Sequence, residues 1–188
     1  MPIPMHPAPA PRIAKSFALQ PLTPIEATAI CLTGHVLRRH GLLEAEFRVA
    51  GDLAALAIPS PAARPRRRHG LWRQTCFELF FGEAGSAGYL EVNFSPAGHW
   101  NFYRFSSYRS DMREEPGSEI PRGQVRRDAA LLVRLGIDLA GIGLEGRQLQ
   151  VRPCAVLLSR EGAPSYWALS HPGPRPDFHD PGARHLPL

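Results

Sequence analysis

Residues 71–109 read LWRQTCFELFFGEAGSAGYLEVNFSPAGHWNFYRFSSYR. Near the middle, Ser95–Gly98 has proline second and glycine fourth, a pattern typical of a type I turn. Aromatic and β-branched residues flank the turn on both sides, so the stretch predicts an antiparallel β-hairpin. The expected pairs are Phe94 with His99, Asn93 with Trp100, and Glu91 with Phe102.

One face of this predicted hairpin has an unusual mixture of side chains. Residues that lie opposite one another on neighbouring strands share a sheet face. The first face would carry Tyr89, Glu91, Asn93, Trp100, Phe102 and Arg104. The second face is expected to belong to the core and would carry Leu90, Val92, Phe94, Tyr103 and Phe105. Aromatic planes beside fixed polar groups on the first face favour a polar, ring-shaped ligand.

Glu91 and Arg104 are expected to interact on that first face. In the predicted register they are diagonal neighbours on the two strands, and such neighbours lie about 7–8 Å apart. A long arginine side chain spans this distance, so the pair is predicted to share the ligand site.

The strand before the hairpin, predicted over Gln74–Phe81, continues the pattern. Alternate residues would face opposite sides of the sheet. One side would carry Trp72, Gln74, Cys76, Glu78 and Phe80, and the other side Phe77, Leu79 and Phe81. The register between this strand and the next stays open, because the loop Gly82–Gly88 can close in more than one way.

The rest of the chain shows similar short strands bounded by turn residues. Leu42–Val49 alternates apolar and polar residues, which indicates a half-buried antiparallel strand. The 20 prolines and 17 glycines among 188 residues disfavour long helices. The expected fold class is all-β, a single antiparallel β-sandwich of about ten strands. The other predicted strands are Ser16–Leu19, Ile25–Leu32, Tyr89–Phe94, Trp100–Tyr108, Ala130–Asp138, Gln148–Leu158 and Ser165–Leu169.

Composition places the chain among soluble globular proteins. Hydrophobic residues make up 44% and charged residues 21% of the chain. No apolar run approaches the ~20 residues of a membrane helix, so no membrane partner is expected. The proline-rich residues 1–14 lack the apolar segment of a signal peptide and are expected to be flexible, with the protein in the cytoplasm. The proline-rich tail from His171 is expected to wrap the domain.

Neither the cysteines nor the basic residues indicate a special partner. Cys31, Cys76 and Cys154 are widely spaced among strand-forming residues and are expected to be buried, inert thiols. The basic run Arg64–His69 lacks interleaved aromatic residues, so it is interpreted as a solvated loop rather than a nucleic-acid site. Nothing in the sequence indicates an oligomeric state.

Three blocks of sequence resemble one known family. They are LWRQTCFELFF at 71–81, YLEVNFSPAGHWNFYRFSSYR at 89–109 and SYWALSHPGPRPDFHDP at 165–181. These blocks are similar to the bacterial DOMON-like domain proteins, relatives of the family 9 carbohydrate-binding modules and of the haem-binding DOMON domains. The resemblance extends from about Phe17 to Pro181. It implies that residues 15–188 form a sandwich of ten or eleven strands with a ligand cleft on one sheet.

The resemblance also implies roles for individual residues. In the sugar-binding relatives, a tryptophan just before a glutamate-bearing strand forms one wall of the sugar slot, and Trp72 matches this position ahead of Glu78. A second aromatic residue near the C-terminus forms the other wall, and Trp167 is the nearest candidate here. In the haem-binding relatives, a methionine and a histidine ligate the iron, and Met112 with His171 is the corresponding pair.

Three functions are consistent with these patterns. The first is a non-catalytic domain that binds a saccharide or a sugar-containing small molecule, without cofactor or metal. Its candidate residues are Trp72, Glu78, Glu91, Asn93, Trp100, Arg104 and Trp167. The second is a haem-binding electron-transfer domain that uses Met112 and His171. The third is a structural or interaction domain whose cleft is filled by its own side chains.

Two further activities are less favoured. Glu78 and Glu91 on one sheet face resemble the carboxylate pair of a glycosidase, but the relatives bind sugar and do not cleave it. A second group of potential metal ligands comprises His171, Asp177, His179 and Asp180. The intervening prolines break any regular spacing, so hydrogen bonds that cap the loop are the preferred interpretation.

Overall fold

The computed structural model describes residues 13–23, 30–39, 41–116, 124–127 and 129–188. These residues contain twelve β-strands and two short 3-10 helices, Leu53–Ala55 and Leu71–Arg73. The strands are β1 (Ile13–Pro21), β2 (Cys31–Arg39), β3 (Leu42–Ala50), β4 (Cys76–Glu83), β5 (Tyr89–Phe94), β6 (Trp100–Phe105), β7 (Arg113–Glu114), β8 (Gln124–Arg127), β9 (Leu131–Asp138), β10 (Leu149–Leu158), β11 (Pro164–Ala168) and β12 (Leu186–Pro187). Among the described residues, no helix has the length and apolar character needed to span a bilayer.

The strands form two antiparallel layers that continue into one another. One layer runs β7-β6-β5-β4-β10-β11, with β12 also paired to β10, and the other runs β1-β2-β3-β9-β8. The end of β1 joins them, because Gln20 pairs with Ala168 of β11. The all-β, antiparallel sandwich predicted from the sequence is confirmed.

The core lies between the two layers. Leu43, Ala45, Phe47 and Val49 of β3 are buried, as their alternation in the sequence predicts. The ring of Phe47 packs against Phe77 of the opposite layer, with centroids 5.2 Å apart. The two layers are therefore held together by the inward-facing side chains, which alternate with outward-facing ones along each strand.

Strand β4 is buried on both faces. Phe77, Leu79 and Phe81 point into the core, whereas Glu78 and Phe80 point to the outer face of their layer. That outer face is covered by residues 170–185, here called the C-terminal segment, and Phe178 of this segment packs on Phe80 and is centred 6.4 Å away. A second buried space, distinct from the core, therefore lies between the sheet and the C-terminal segment.

The register of the β5–β6 hairpin differs by one residue from the prediction. Phe94 pairs with Trp100 and Glu91 pairs with Tyr103. The predicted turn does form, because the amide of Gly98 donates to the carbonyl of Ser95. However, Gly98 has a φ of 88° and adds a bulge, so that Ser95 rather than Phe94 is bonded to His99.

This shift corrects the predicted faces. A register change of one residue moves every side chain of one strand to the opposite face. Asn101, Tyr103 and Phe105 therefore share a face with Glu91, whereas Trp100, Phe102 and Arg104 lie on the other. The predicted diagonal contact between Glu91 and Arg104 is wrong.

The second strand was also predicted in the wrong place. The sequence favoured Ile25–Leu32, of which residues 25–29 lie outside the described residues, whereas β2 spans Cys31–Arg39. Gly34 weakened the strand signal, but the structure requires it, since an added Cβ would lie 2.5 Å from the Phe17 ring. Cys31 is exposed, which corrects the expectation that all three thiols are buried. Residues 1–12 of the predicted flexible segment 1–14 are outside the described residues.

Candidate functional site

A cavity of about 320 Å³ lies between the outer face of the first layer and the C-terminal segment. This volume is at the lower end of the range for small-molecule sites. Its apolar walls are mainly aromatic: Trp72, Phe80, Phe105, Tyr166 and Phe178. Its polar lining consists of Glu78, Glu91, Arg109 and His179.

Two carboxyl groups form the floor of the cavity. Glu78 pairs with Asn93 across β4 and β5, and Glu91 pairs with Phe80, so the two glutamates are diagonal neighbours on one face. Their side chains are nearly inaccessible, with Glu78 3% and Glu91 5% exposed. The Oε1 atom of Glu78 is buried and has no hydrogen-bond partner. An unpaired polar atom in this position is unusual and available to a ligand.

The environment shifts both carboxyl groups toward the protonated form. Burial first, and the negative charge of Glu91 second, raise the pKa of Glu78 well above its ordinary value. Burial raises the pKa of Glu91 to about 7, although the hydrogen bond from Asn93 and the charge of Arg109 oppose this rise. The protein therefore favours the protonated form of both carboxyl groups more than water does, and Glu91 is near the midpoint of its titration at pH 7.

Asn93 supports Glu91 from below. Its Nδ2 donates to Oε1 of Glu91 over 2.6 Å, and the residue is fully buried. Its Oδ1 lies 3.7 Å from the Cys76 thiol. Asn93 therefore fixes the orientation of the Glu91 carboxyl group.

His179 approaches Glu91 from the C-terminal segment. Its Nε2 lies 3.7 Å from Oε2 of Glu91, and its Nδ1 lies 2.7 Å from the hydroxyl of Tyr89. Burial first, and the charge of Arg109 second, lower the pKa of His179 to about 4. The imidazole is thus neutral at pH 7, and its contact with Glu91 is not an ion pair.

Arg109 connects the loop after β6 to the C-terminal segment. Its Nη2 donates to Oδ1 of Asp177 over 2.8 Å, while the Tyr108 hydroxyl donates to Oδ2 over 2.5 Å. Asp177 also accepts the backbone amide of His179. The hydrogen bonds of Tyr108, Arg109 and Asp177 fix one edge of the cavity. They also leave the Asp177 carboxylate bonded to donors from the protein itself.

Trp72 forms the opposite wall and lies on the 3-10 helix Leu71–Arg73. Its ring meets those of His69 and Tyr103 edge-on, with centroids 5.0 and 6.0 Å away. The Tyr103 hydroxyl lies 3.0 Å from Nδ1 of His69 and accepts from Asn101 over 2.6 Å. A hydrogen-bonded layer therefore holds the indole in place from behind.

The structure brings together three of the seven predicted ligand residues. Trp72, Glu78 and Glu91 line the cavity, and Asn93 lies directly behind Glu91. Trp72 and Glu78 line the same cavity as expected, although Trp72 lies on the 3-10 helix Leu71–Arg73 and not on the strand that carries Glu78.

The structure places the other three predicted ligand residues elsewhere. Trp100 and Trp167 belong to the core between the layers. Arg67 stacks on the Trp100 ring at 4.5 Å, and the Trp167 indole donates to Ser165. Arg104 lies on the opposite face of the sheet from Glu91, where its Nε contacts Oε2 of Glu115 at 2.5 Å.

The residues considered for haem and metal binding do not converge. Met112 lines the cavity, whereas His171 lies in a separate depression and its Nε2 is 2.9 Å from the carbonyl of Gln20. Asp177 and Asp180 both accept backbone amides of the C-terminal segment. No cluster of three metal-ligating side chains occurs in the described part of the chain.

Several cavity residues were missed by the sequence interpretation. Phe80 is two residues from Glu78 on the same strand, so both side chains face the same side and the place of Phe80 in the lining could have been predicted. Phe178, His179 and Arg109 lie in irregular segments, where no periodicity shows which way a side chain points. Met112 was considered only as an iron ligand.

Comparisons with known proteins support the fold alone. No family model matches the chain, and no curated protein matches it in sequence. A solved structure described as a "putative carbohydrate-binding protein" from Bacteroides uniformis ATCC 8492 superposes with a TM-score of 0.63. The match covers 90% of this chain and 84% of the other, at 13% identity. The two proteins therefore share a fold of the kind found in a candidate sugar binder.

Proposed function

We propose that this protein binds a saccharide in the cavity between the first layer and the C-terminal segment, without cleaving it. The observation that carries the proposal is the buried, unpartnered Oε1 of Glu78 beside Glu91 in a cavity with aromatic walls. A sugar ring has apolar faces that stack on aromatic rings and hydroxyls that pair with fixed polar groups.

The two carboxyl groups offer complementary hydrogen bonds to a sugar. A carboxyl group donates to a sugar oxygen in its protonated form and accepts from a sugar hydroxyl in its ionised form. Trp72 is only partly buried, and its indole lines the cavity, where it can offer a stacking surface. Asn93 and the layer behind Trp72 hold these groups in place before ligand arrives, which reduces the entropic cost of binding.

Two further observations support this function. The open volume of the cavity favours ligand binding over a purely structural domain with a filled cleft. The sequence resemblance to the DOMON-like proteins and the fold shared with the Bacteroides uniformis structure are both consistent with a sugar-binding module. We therefore propose that the chain is a DOMON-like domain with a saccharide ligand.

Tryptophan fluorescence tests the proposal directly. Trp100 and Trp167 are 6% and 4% exposed, so a quench on titration with saccharides would report mainly on Trp72. We expect Trp72→Ala to abolish the quench and the heat of binding, and Trp72→Phe to retain part of the heat. Trp167→Phe, outside the cavity, is the matched control and should keep full affinity. Absence of binding across a broad panel of mono- and disaccharides would overturn the proposal.

A further inference from the structure

We propose that the cavity selects a saccharide bearing a protonated amine, an amino sugar, whose ammonium group lies between Glu78 and Glu91. This inference rests on the proposed function and specifies its ligand class. It is carried by the geometry of the two carboxyl groups and by the aromatic walls around them.

The two carboxyl groups lack a cation of their own. Within the described ranges, no arginine, lysine or histidine forms a salt bridge with Glu78, and one oxygen of Glu78 has no partner at all. Glu91 lies 3.7 Å from the neutral His179, and Arg109, whose charge also acts on Glu91, forms its ion pair with Asp177 instead. Two buried carboxyl groups on one face, without a counter-ion, form a site in which a ligand cation is the missing charge.

The nearby basic side chains are already engaged. Arg109 is bonded to Asp177, and Arg152 donates to the carbonyl of Asp180 at the edge of the C-terminal segment. The Arg152 guanidinium also lies over the Phe80 ring, 5.9 Å from its centroid. Both guanidinium groups are thus bonded to other protein groups, and the charge of Arg109 is compensated by the Asp177 carboxylate.

The walls are suited to a cation as well as to a sugar ring. The ring of Phe178 meets those of Phe80 and Tyr166 edge-on, and all three residues line the cavity with Glu78. The faces of aromatic rings attract ammonium groups, most strongly where water is excluded. A combination of two carboxyl groups and aromatic faces favours an organic ammonium over a metal ion, which prefers a full set of oxygen or nitrogen ligands.

Binding of an ammonium group should release protons. The groups that face the pair are Cys76 on β4, Cys154 on β10, Tyr89 on β5, Tyr103 on β6, Arg109 after β6, and Arg152 and His179 beside the C-terminal segment. None of them supplies an unengaged positive charge beside Glu78. A cation between the carboxyl groups lowers their pKa values, so both shift toward the ionised form and give up protons to the buffer.

Isothermal titration with matched sugars is the test. Glucosamine, galactosamine and mannosamine are compared with glucose, galactose, mannose and N-acetylglucosamine, each in two buffers of different ionisation enthalpy. We expect one amino sugar to bind about tenfold tighter than its neutral parent, with net proton release. Glu78→Gln should remove both the preference and part of the proton release. Glu83→Gln is the control, since Glu83 lies on the same strand but is solvent-exposed and paired with Arg147.

The outcomes separate the two proposals. Neutral sugars that bind as tightly as amino sugars would overturn the inference and leave the saccharide function intact. No binding by any sugar would overturn both. If Glu78→Gln fails to fold in thermal melts, Glu91→Gln serves as the second variant, and retention of the amine preference in that variant would contradict the proposed position of the ammonium.

Discussion

The hydroxyl of Tyr89 lies 2.7 Å from Nδ1 of His179, and this contact joins the sheet to the C-terminal segment directly above Glu91. The same hydroxyl accepts the backbone amide of Arg109 over 3.2 Å. One phenol oxygen thus connects three parts of the chain that surround the cavity.

Tyr89→Phe is expected to weaken ligand binding and to lower the free energy of unfolding by about 1–2 kcal/mol, because two hydrogen bonds are lost around a half-buried group. Chemical denaturation and calorimetric titration measure the two effects. The stacked contact with Phe105, with centroids 4.8 Å apart, should survive the change. Unchanged affinity in Tyr89→Phe would show that the position of His179 does not depend on this hydroxyl.

Glu91 and His179 should give opposite pH dependences of stability. The pKa of Glu91 rises on folding from 4.5 to about 7, so its contribution to stability is present below pH 4.5 and is lost as pH increases toward 7. The pKa of His179 falls from 6.5 to about 4, so its contribution is present above pH 6.5 and is lost as pH decreases toward 4. Between about pH 4.5 and 6.5, the loss of stability from Glu91 and the gain from His179 with rising pH largely cancel. Each contribution to the free energy of unfolding amounts to about 3 kcal/mol at most.

Single variants should separate the two contributions. In Glu91→Gln, stability should fall more steeply than in the wild type as pH decreases from 6.5 to 4. In His179→Gln, stability should fall as pH increases from 4.5 to 7. Urea denaturation at a series of pH values measures both slopes, and equal slopes in the two variants would contradict the assignment.

Gly98→Ala should destabilise the β5–β6 hairpin by about 1 kcal/mol or more, because the residue has a φ of 88° and an added Cβ would lie 3.1 Å from Cγ of Pro65. Gly143→Ala is the matched control. Gly143 has a φ of 76° but no heavy atom within 4 Å of an added Cβ, so it reports the backbone cost alone. The free energy of unfolding of both variants is measured by chemical denaturation. Equal decreases would show that the close contact of the new Cβ with Pro65 does not destabilise the protein.

Glu91→Gln and Arg104→Met should have additive effects on stability. The two residues lie on opposite faces of the sheet, so a double-mutant cycle should give a coupling energy near zero. Arg104→Met and Glu115→Gln should instead be coupled, because their side chains are in contact at 2.5 Å. A substantial coupling between Glu91 and Arg104 would contradict the observed register.

The sequence predicted the fold class better than the arrangement of the site. Alternation in β3 and the turn residues between strands indicate an antiparallel sandwich, because each feature depends on local chemistry. The hairpin register depends on one extra residue at Gly98, and this single bulge decides whether Asn101 and Tyr103, or Trp100 and Arg104, accompany Glu91.

The place of Trp72 beside Glu78 could be predicted from a tryptophan that precedes the glutamate-bearing strand, whereas the position of Glu91 relative to Glu78 depends on a β4–β5 register that the sequence leaves open. The contribution of Phe178 and His179 could not. These residues reach the cavity through long-range contacts with Phe80 and Tyr89, and no sequence period encodes such contacts. Trp167 shows the opposite case, because it was the nearest candidate in sequence for the second wall but its side chain packs into the core between the layers.

The C-terminal segment begins after β11 and ends at β12, and both of these strands pair with β10. The last residue, Leu188, exchanges backbone hydrogen bonds with Leu149 at 2.8 and 2.9 Å. Both ends of the C-terminal segment are thus anchored, through β11 and β12, to the same strand, β10. The cover over the cavity is therefore held by backbone hydrogen bonds at both of its ends.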